Sequence, residues 1–192
     1  MKSLLFFTLL LVFACGPDEK VLFKTYQQAV GLYSNKQLDE SLKLFTQVKN
    51  EKEGFLHTNI YIGKIHYYKL NFQKAKELFQ EDYYRNENRT ALYWIIKTDF
   101  IVSKNYEEQL KRIDDYLFFD ANNYDILYIR GMICKKLNKT DEAILSFSKA
   151  ISYKEKLANS YIELSKIYRA AGLTEKSVKL EDLAKKLMES DF

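Results

Sequence analysis

The sequence predicts an all-α fold built from repeated pairs of helices, and three observations support this prediction. Its 192 residues include only one proline and six glycines, too few for a protein of many strands and tight turns. Segments such as "YWIIKTDFIV" and "EAILSFSKAI" place apolar residues at i, i+3, i+4 and i+7, the spacing of a helix with one buried face. Small residues also recur at intervals of 34 positions along the chain.

The overall composition narrows the possible classes of function. Hydrophobic residues make up 47% of the chain, which predicts a packed domain rather than a disordered one. The 30 basic and 26 acidic residues give a net charge of only +4. This charge is too small to predict a nucleic-acid-binding surface, so we expect no nucleic-acid partner.

The N-terminal segment, residues 1–14, differs from the rest of the chain. Lys2 is followed by an apolar run from Leu4 to Ala14. As a helix this run would cover about 16 Å, roughly half of a bilayer core, so it is typical of a cleaved signal peptide rather than a membrane span. The stretch "VFAC", residues 12–15, resembles the lipobox of bacterial lipoproteins.

This resemblance implies that Cys15 is lipidated, that residues 15–21 form a tether, and that the protein is anchored in the bacterial cell envelope. Gly16 is not the aspartate that retains some lipoproteins in the inner membrane, which favours the outer membrane. An ordinary cleaved signal peptide with an incidental cysteine is the alternative. With Cys15 lipidated, Cys134 has no cysteine to pair with, and we expect it to be a small buried hydrophobic residue.

Two series of small residues recur in register, twelve positions apart, and four of the five members of each are small. Where two helices cross, their backbones approach closely only if the side chains at the crossing are short and large neighbours fill the flanking grooves. Each pair therefore predicts a helix crossing. The two series are Ala29, Gly63, Lys97, Gly131 and Ser165, and Ser41, Ala75, Gln109, Ala143 and Ser177.

Large residues such as Phe45, Phe79 and Phe147 follow the second series by four positions, and the whole pattern resembles the tetratricopeptide repeat (TPR). The resemblance implies a TPR domain over residues 22–191, a right-handed α-solenoid of five helix-turn-helix units. Lys97 and Gln109 depart from the pattern and predict a looser third unit, and the proline that usually ends a repeat is absent. The units are 22–55, 56–89, 90–123, 124–157 and 158–191.

In TPR proteins the first helices of the units line a concave face. The resemblance implies an envelope scaffold or adaptor that binds protein or peptide segments there, in the assembly or recruitment of an envelope complex. An aromatic N-terminal half and a basic C-terminal half suit a peptide with hydrophobic anchors and an acidic stretch. The alternatives are that these aromatic residues only pack between helices, or that they stack on glycan or peptidoglycan. The implied groove residues are Tyr26, Tyr33, Lys64, Tyr67, Tyr68, Trp94, Tyr128, Met132, Lys135, Lys136, Lys166 and Arg169.

The sequence offers no candidate for a catalytic or metal site. His57 and His66 are nine positions apart, which places them about 180° from each other on a continuous helix. The sequence contains no His, Cys and Asp cluster at ligand spacing, no glycine-rich phosphate loop and no nucleophile elbow. We therefore expect a non-enzyme with no cofactor and no metal.

Overall fold

The structure, a computed structural model, describes residues 18–189 and is all-helical there. Lipobox residues 12–15 lie outside the described residues. The described residues divide into two compact units, one ending at Ile62 and the other beginning at Gly63. Between residues 18 and 189, no helix is both long enough and apolar enough to cross a membrane.

The first unit contains α1 (Glu19–Ser34), α2 (Leu38–Glu51), a 3-10 helix (Phe55–His57) and the start of α3 (Thr58–Tyr68). The Asp18 side chain caps α1 by accepting a hydrogen bond from the Lys20 amide at 2.9 Å. Residues 19–21, which the sequence assigned to the tether, are therefore the first turn of α1. Ser41 and Ala29 are fully buried where α1 and α2 cross, and the Ser41 hydroxyl donates to the Ala29 carbonyl at 2.9 Å.

The second unit contains the end of α3 and six further helices. They are α4 (Phe72–Asn86), α5 (Arg89–Val102), α6 (Tyr106–Phe119), α7 (Tyr124–Lys136), α8 (Thr140–Ala170) and α9 (Thr174–Glu189). A hydrophobic cluster joins α5, α6, α7 and α8, and it includes the fully buried side chains of Ile113, Ile126 and Ile133. Cys134, predicted to be a small buried residue, is 0% exposed in this cluster.

The predicted close helix contacts are observed in the second, fourth and fifth units. A methyl group added at Gly63 would lie 2.4 Å from the Phe79 ring, and one added at Gly131 would lie 2.6 Å from the Phe147 ring. Ser165 and its partner Ser177 are both fully buried between α8 and α9. In the second and fourth units, the aromatic ring of the second helix thus occupies the space left by the missing side chain.

The boundary expected between residues 157 and 158 is not present, because α8 runs through it as one helix of 31 residues. Asn88 and Asn123 end the preceding connections by capping α5 and α7 through their side chains. The matching positions before the fifth unit hold Lys156 and Leu157. Neither side chain can accept the capping hydrogen bond that Asn88 and Asn123 accept, and both residues favour a helix interior, so α8 continues through the expected boundary.

Candidate functional site

The second unit contains a cavity of about 540 Å³, which we call the aromatic cavity. Residues from the end of α3, the start of α5 and the end of α6 form its walls. A neighbouring cavity of about 670 Å³ shares two of these residues, Tyr93 and Asp120, and extends to Asp125 and Lys156. The residues that define the aromatic cavity are Lys64, Arg89, Tyr93, Trp94, Phe119 and Asp120.

The helical repeat of α5 and α6 explains why these side chains meet. Arg89, Tyr93 and Lys97 are spaced by four residues and therefore lie along one face of α5. Tyr116 and Phe119 are three residues apart in the last turn of α6. The Asn88 cap fixes the start of α5, so the first residue of the helix, Arg89, is placed at the mouth of the cavity.

Trp94 forms the wall of the aromatic cavity and is only 9% exposed. Its ring stacks on Phe79 with a centroid separation of 5.7 Å and an interplanar angle of 24°. The rings of Tyr67 and Tyr93 pack against it in T-shaped arrangements, with centroid separations of 5.2 Å and 5.5 Å. These contacts hold the indole in one orientation, so the apolar wall is formed before any ligand binds.

Cations surround this aromatic wall. Lys64 Nζ lies 5.4 Å from the Trp94 ring centroid, and Lys97 Nζ lies 5.8 Å from it. The Arg89 guanidinium lies 4.0 Å from the centre of the Phe119 ring. Burial lowers the pKa of Lys64, since the charged ammonium is partly removed from water. The positive charges are thus held against apolar surface, where they can attract an anionic group.

Two carboxylates near this wall accept hydrogen bonds from tyrosines. The Tyr93 hydroxyl donates to Asp125 Oδ2 at 2.6 Å, and Lys97 Nζ lies 3.4 Å from the same oxygen. The Tyr116 hydroxyl donates to Asp120 Oδ2 at 3.1 Å. Burial and these hydrogen bonds raise the pKa of both tyrosines, so both hydroxyls stay protonated and act as donors. The cavity and its immediate surroundings therefore combine aromatic surface with both cations and carboxylates.

The structure brings only some of the predicted groove residues to this cavity. Lys64 and Trp94 line it, and Tyr67 and Tyr68 contact the Trp94 ring. In the first unit, Tyr26 and Tyr33 pack edge-on against the ring of Tyr61, and the Tyr26 hydroxyl donates to the Leu56 carbonyl. For these two tyrosines, packing between helices accounts for the contacts.

The remaining predicted residues lie on α7 and α8. Tyr128 packs against Phe147, and Met132 is half-buried. Lys135 and Lys136 are exposed in the last turn of α7, where their charge favours the helix terminus. Lys166 pairs with Glu163 at 2.6 Å, and Arg169 pairs with Glu181 at 2.6 Å. Nearby carboxylates thus partly neutralise the C-terminal basic residues.

Sequence reasoning missed two important side chains of the cavity, Arg89 and Phe119. Both lie at helix ends, outside the positions that line the concave face in the TPR family. The sequence did contain a signal for a third residue, Lys97, which replaces a small residue at a helix crossing. That departure predicts a looser unit, and in the structure the Lys97 side chain extends toward Tyr93, Trp94 and Asp125.

Comparison with solved structures identifies the fold. A crystal structure of MamA protein is 16% identical, with a TM-score of 0.64, and covers 90% of this chain and 94% of its own. MamA residues 41-end from Desulfovibrio magneticus RS-1 is 13% identical, with a TM-score of 0.63, over 93% of this chain and 99% of its own. YrrB, described as a TPR protein with an unusual peptide-binding site, is 16% identical, with a TM-score of 0.62, over 88% of both chains.

This chain has the TPR fold. No protein-family model and no curated protein sequence matches it. Identities of 13–17% to the structural neighbours establish the fold alone, so the function must be argued from the residues of this chain. Within residues 18–189, no group of His, Cys, Asp and Glu side chains could hold a metal ion.

Proposed function

We propose that this chain is an envelope-anchored TPR scaffold that binds a protein or peptide segment in the aromatic cavity, in the assembly or recruitment of an envelope complex. The observation that carries the proposal is the preformed apolar wall of Trp94 between the cations Lys64 and Arg89 and the carboxylate of Asp120. Cavities that combine aromatic surface with a few oriented polar groups are typical binding sites. The peptide-binding site named for YrrB adds support from a protein of the same fold.

The charges of the cavity indicate the chemistry of the segment. An aromatic or aliphatic side chain would occupy the space beside Trp94 and Phe119, and an acidic residue would lie near Lys64 and Arg89. Asp120 lines the same cavity and Asp125 lines the neighbouring one, so a basic residue of the segment would lie near these carboxylates. The proposed ligand is an extended segment with a hydrophobic anchor between an acidic and a basic residue.

The glycan alternative is less well supported by the geometry. Sugar rings stack on an exposed aromatic face, and Trp94 is 9% exposed with Phe79 stacked on one side of it. Tyr68 and Phe119 are 52% and 57% exposed, but the Arg89 guanidinium lies over the Phe119 ring, 4.0 Å from its centre, and occupies one face of it. We therefore favour a polypeptide ligand.

Photo-cross-linking in cells tests the proposal. A photoreactive phenylalanine analogue would replace Phe119, which is 57% exposed at the cavity, and in a matched control it would replace Tyr84, which is 76% exposed and does not line the cavity. We expect discrete cross-linked proteins from position 119 that survive enzymatic digestion of peptidoglycan and are absent from position 84. Adding Arg89→Ala should reduce their yield several-fold.

Three outcomes would contradict the proposed site. Equal products from both positions would show that the cavity has no special role. Products that disappear on peptidoglycan digestion would favour the glycan alternative. An unchanged yield with Arg89→Ala, while Trp94 fluorescence remains that of the wild type, would exclude a role for Arg89 in binding. Trp94 is the only tryptophan of the chain and reports on the fold of the cavity.

A further inference from the structure

Two exposed apolar surfaces of the second unit occupy repeat positions that are buried elsewhere in the same chain. On the first half of α8, Ile144 is 59% exposed, whereas Leu110, the equivalent residue 34 positions earlier, is 7% exposed. On the second half of α8, Ile167 is 62% exposed, whereas Ile133, also 34 positions earlier, is 0% exposed. Equivalent apolar side chains are thus buried in one unit and exposed in the next.

Leu110 lies on α6 and Ile133 lies on α7, and both side chains are buried. Both belong to the hydrophobic cluster in which α6 of the third unit packs against α7 of the fourth. Their equivalents, Ile144 and Ile167, are therefore the two halves of one repeat-to-repeat interface, the interface between the fourth and fifth units. In this chain neither half is covered.

The chain cannot join these halves to each other while α8 is intact. Between the third and fourth units, the residues from Asp120 to Asn123 turn the chain back, so α7 can pack on α6. The fourth and fifth units share the unbroken helix α8 instead. Ile144 and Ile167 are 23 residues apart on it, which separates them by about 35 Å along the helix axis at 1.5 Å per residue.

The residue types on the second half of α8 also indicate that this face of the fifth unit is an interaction surface. Leu164 and Ile167 are 39% and 62% exposed. The first unit has Gln28 and Gly31 at the same repeat positions, and both are exposed. A unit whose outer face meets water therefore does not need large apolar residues there, and exposed apolar patches of this kind mark interaction surfaces.

We propose that the occupant of these surfaces is a second copy of the chain, which exchanges its last helical pair with the first. The second half of α8 and α9 of each copy would pack on α7 and the first half of α8 of the other. Ile167 of one copy would then contact Ile144 of its partner, and the two-fold symmetry of the exchange repeats this contact. The dimer restores the interface seen between the third and fourth units, twice.

Disulfide trapping in the full-length chain tests this arrangement. Two differently tagged copies would be co-expressed, one carrying Ile144→Cys and the other Ile167→Cys, and oxidised with a copper catalyst. We expect a disulfide-linked dimer with both tags. In the matched control, Lys166→Cys replaces Ile167→Cys; this neighbouring residue is equally exposed but lies about 100° around the helix, so the yield should fall at least tenfold.

A chain carrying both Ile144→Cys and Ile167→Cys distinguishes helix exchange between two copies from contact within one chain. A cross-linked dimer supports the exchange. A monomer with an internal disulfide would show that α8 breaks and folds back within one chain, which overturns the proposal. Equal cross-linking with Lys166→Cys, or no cross-linking at all, would also overturn it.

Oligomeric mass provides a second measurement that does not depend on engineered cysteines. In detergent solution, light scattering should give the mass of a dimer for the wild type, and Ile167→Gln should raise the dissociation constant at least tenfold without changing helical content by circular dichroism. Ile101→Gln is the control, because Ile101 is 47% exposed on α5 and outside the proposed interface. A monomeric wild type, or equal effects of both substitutions, would contradict the exchange.

Discussion

A Cβ atom at Gly131 would lie only 2.6 Å from the Phe147 ring, so a residue with a side chain would clash there. Gly63 and Phe79 repeat this relationship at 2.4 Å. In each case the crossing helices gain close backbone contact, and the ring fills the remaining volume at the density of a protein core. Close packing at these two helix crossings therefore depends on the absence of a side chain at the glycine.

The first prediction compares two Gly→Ala substitutions. Gly131→Ala should lower the free energy of unfolding by about 1–3 kcal/mol, because the methyl group overpacks the crossing with Phe147. Gly31→Ala is the control: no atom lies within 4 Å of the added methyl group, and alanine should stabilise the helix by about 0.5–1 kcal/mol. Urea unfolding measures both values. Changes of the same sign and size would contradict the crossing geometry.

At the residue scale, sequence reasoning succeeded where sterics restrict the choice of residue. A helix crossing tolerates few side chains, so Gly63, Gly131 and Ser165 mark it in the sequence. Arg89 and Phe119 could not be found in this way, because many residue types fit the end of a helix. Their meeting depends on how α5 and α6 pack, which no local pattern specifies.

At the scale of elements, α8 shows what a repeat register leaves undetermined. Counting by 34 places a boundary after residue 157, but a repeat boundary interrupts a helix only if the residues there favour a cap or a turn. The residues at that boundary, 154–158, read Lys-Glu-Lys-Leu-Ala, all of which favour a helix. The missing proline was noted in the sequence, but its consequence, one continuous helix instead of two, follows only from combining it with the missing cap.

The second prediction concerns the contact of α4, α5 and α6 through Asp99. This carboxylate is 2% exposed; it lies 2.6 Å from Lys76 Nζ and pairs with the Arg112 guanidinium. Asp99→Ala removes the charge that compensates two partly buried cations, so the free energy of unfolding should fall by about 3–5 kcal/mol.

Asp115→Ala provides the control for Asp99→Ala. Asp115 is exposed on α6, and its replacement should change the free energy of unfolding by less than about 0.5 kcal/mol. Chemical denaturation of both variants checks the pair. If Asp99→Ala cost no more than Asp115→Ala, the buried carboxylate would not hold the three helices together.

At the scale of the whole molecule, the start of α1 limits where the proposed scaffold can act. Only four residue steps separate Cys15 from Glu19, the first residue of α1. Even fully extended, these steps reach about 14 Å. If Cys15 carries lipid, as we propose, the first helical unit stays next to the membrane surface.

The third prediction tests this anchor directly. Metabolic labelling with a fatty acid analogue should tag the wild-type protein. Cys15→Ser should abolish the label, because the Cys15 thiol is the proposed site of lipid attachment. Cys134→Ser is the matched control: Cys134 is fully buried in the hydrophobic cluster, so its replacement should leave labelling and membrane fractionation unchanged. Labelling that persists in Cys15→Ser would favour an ordinary cleaved signal peptide. The scaffold would then act without a lipid anchor.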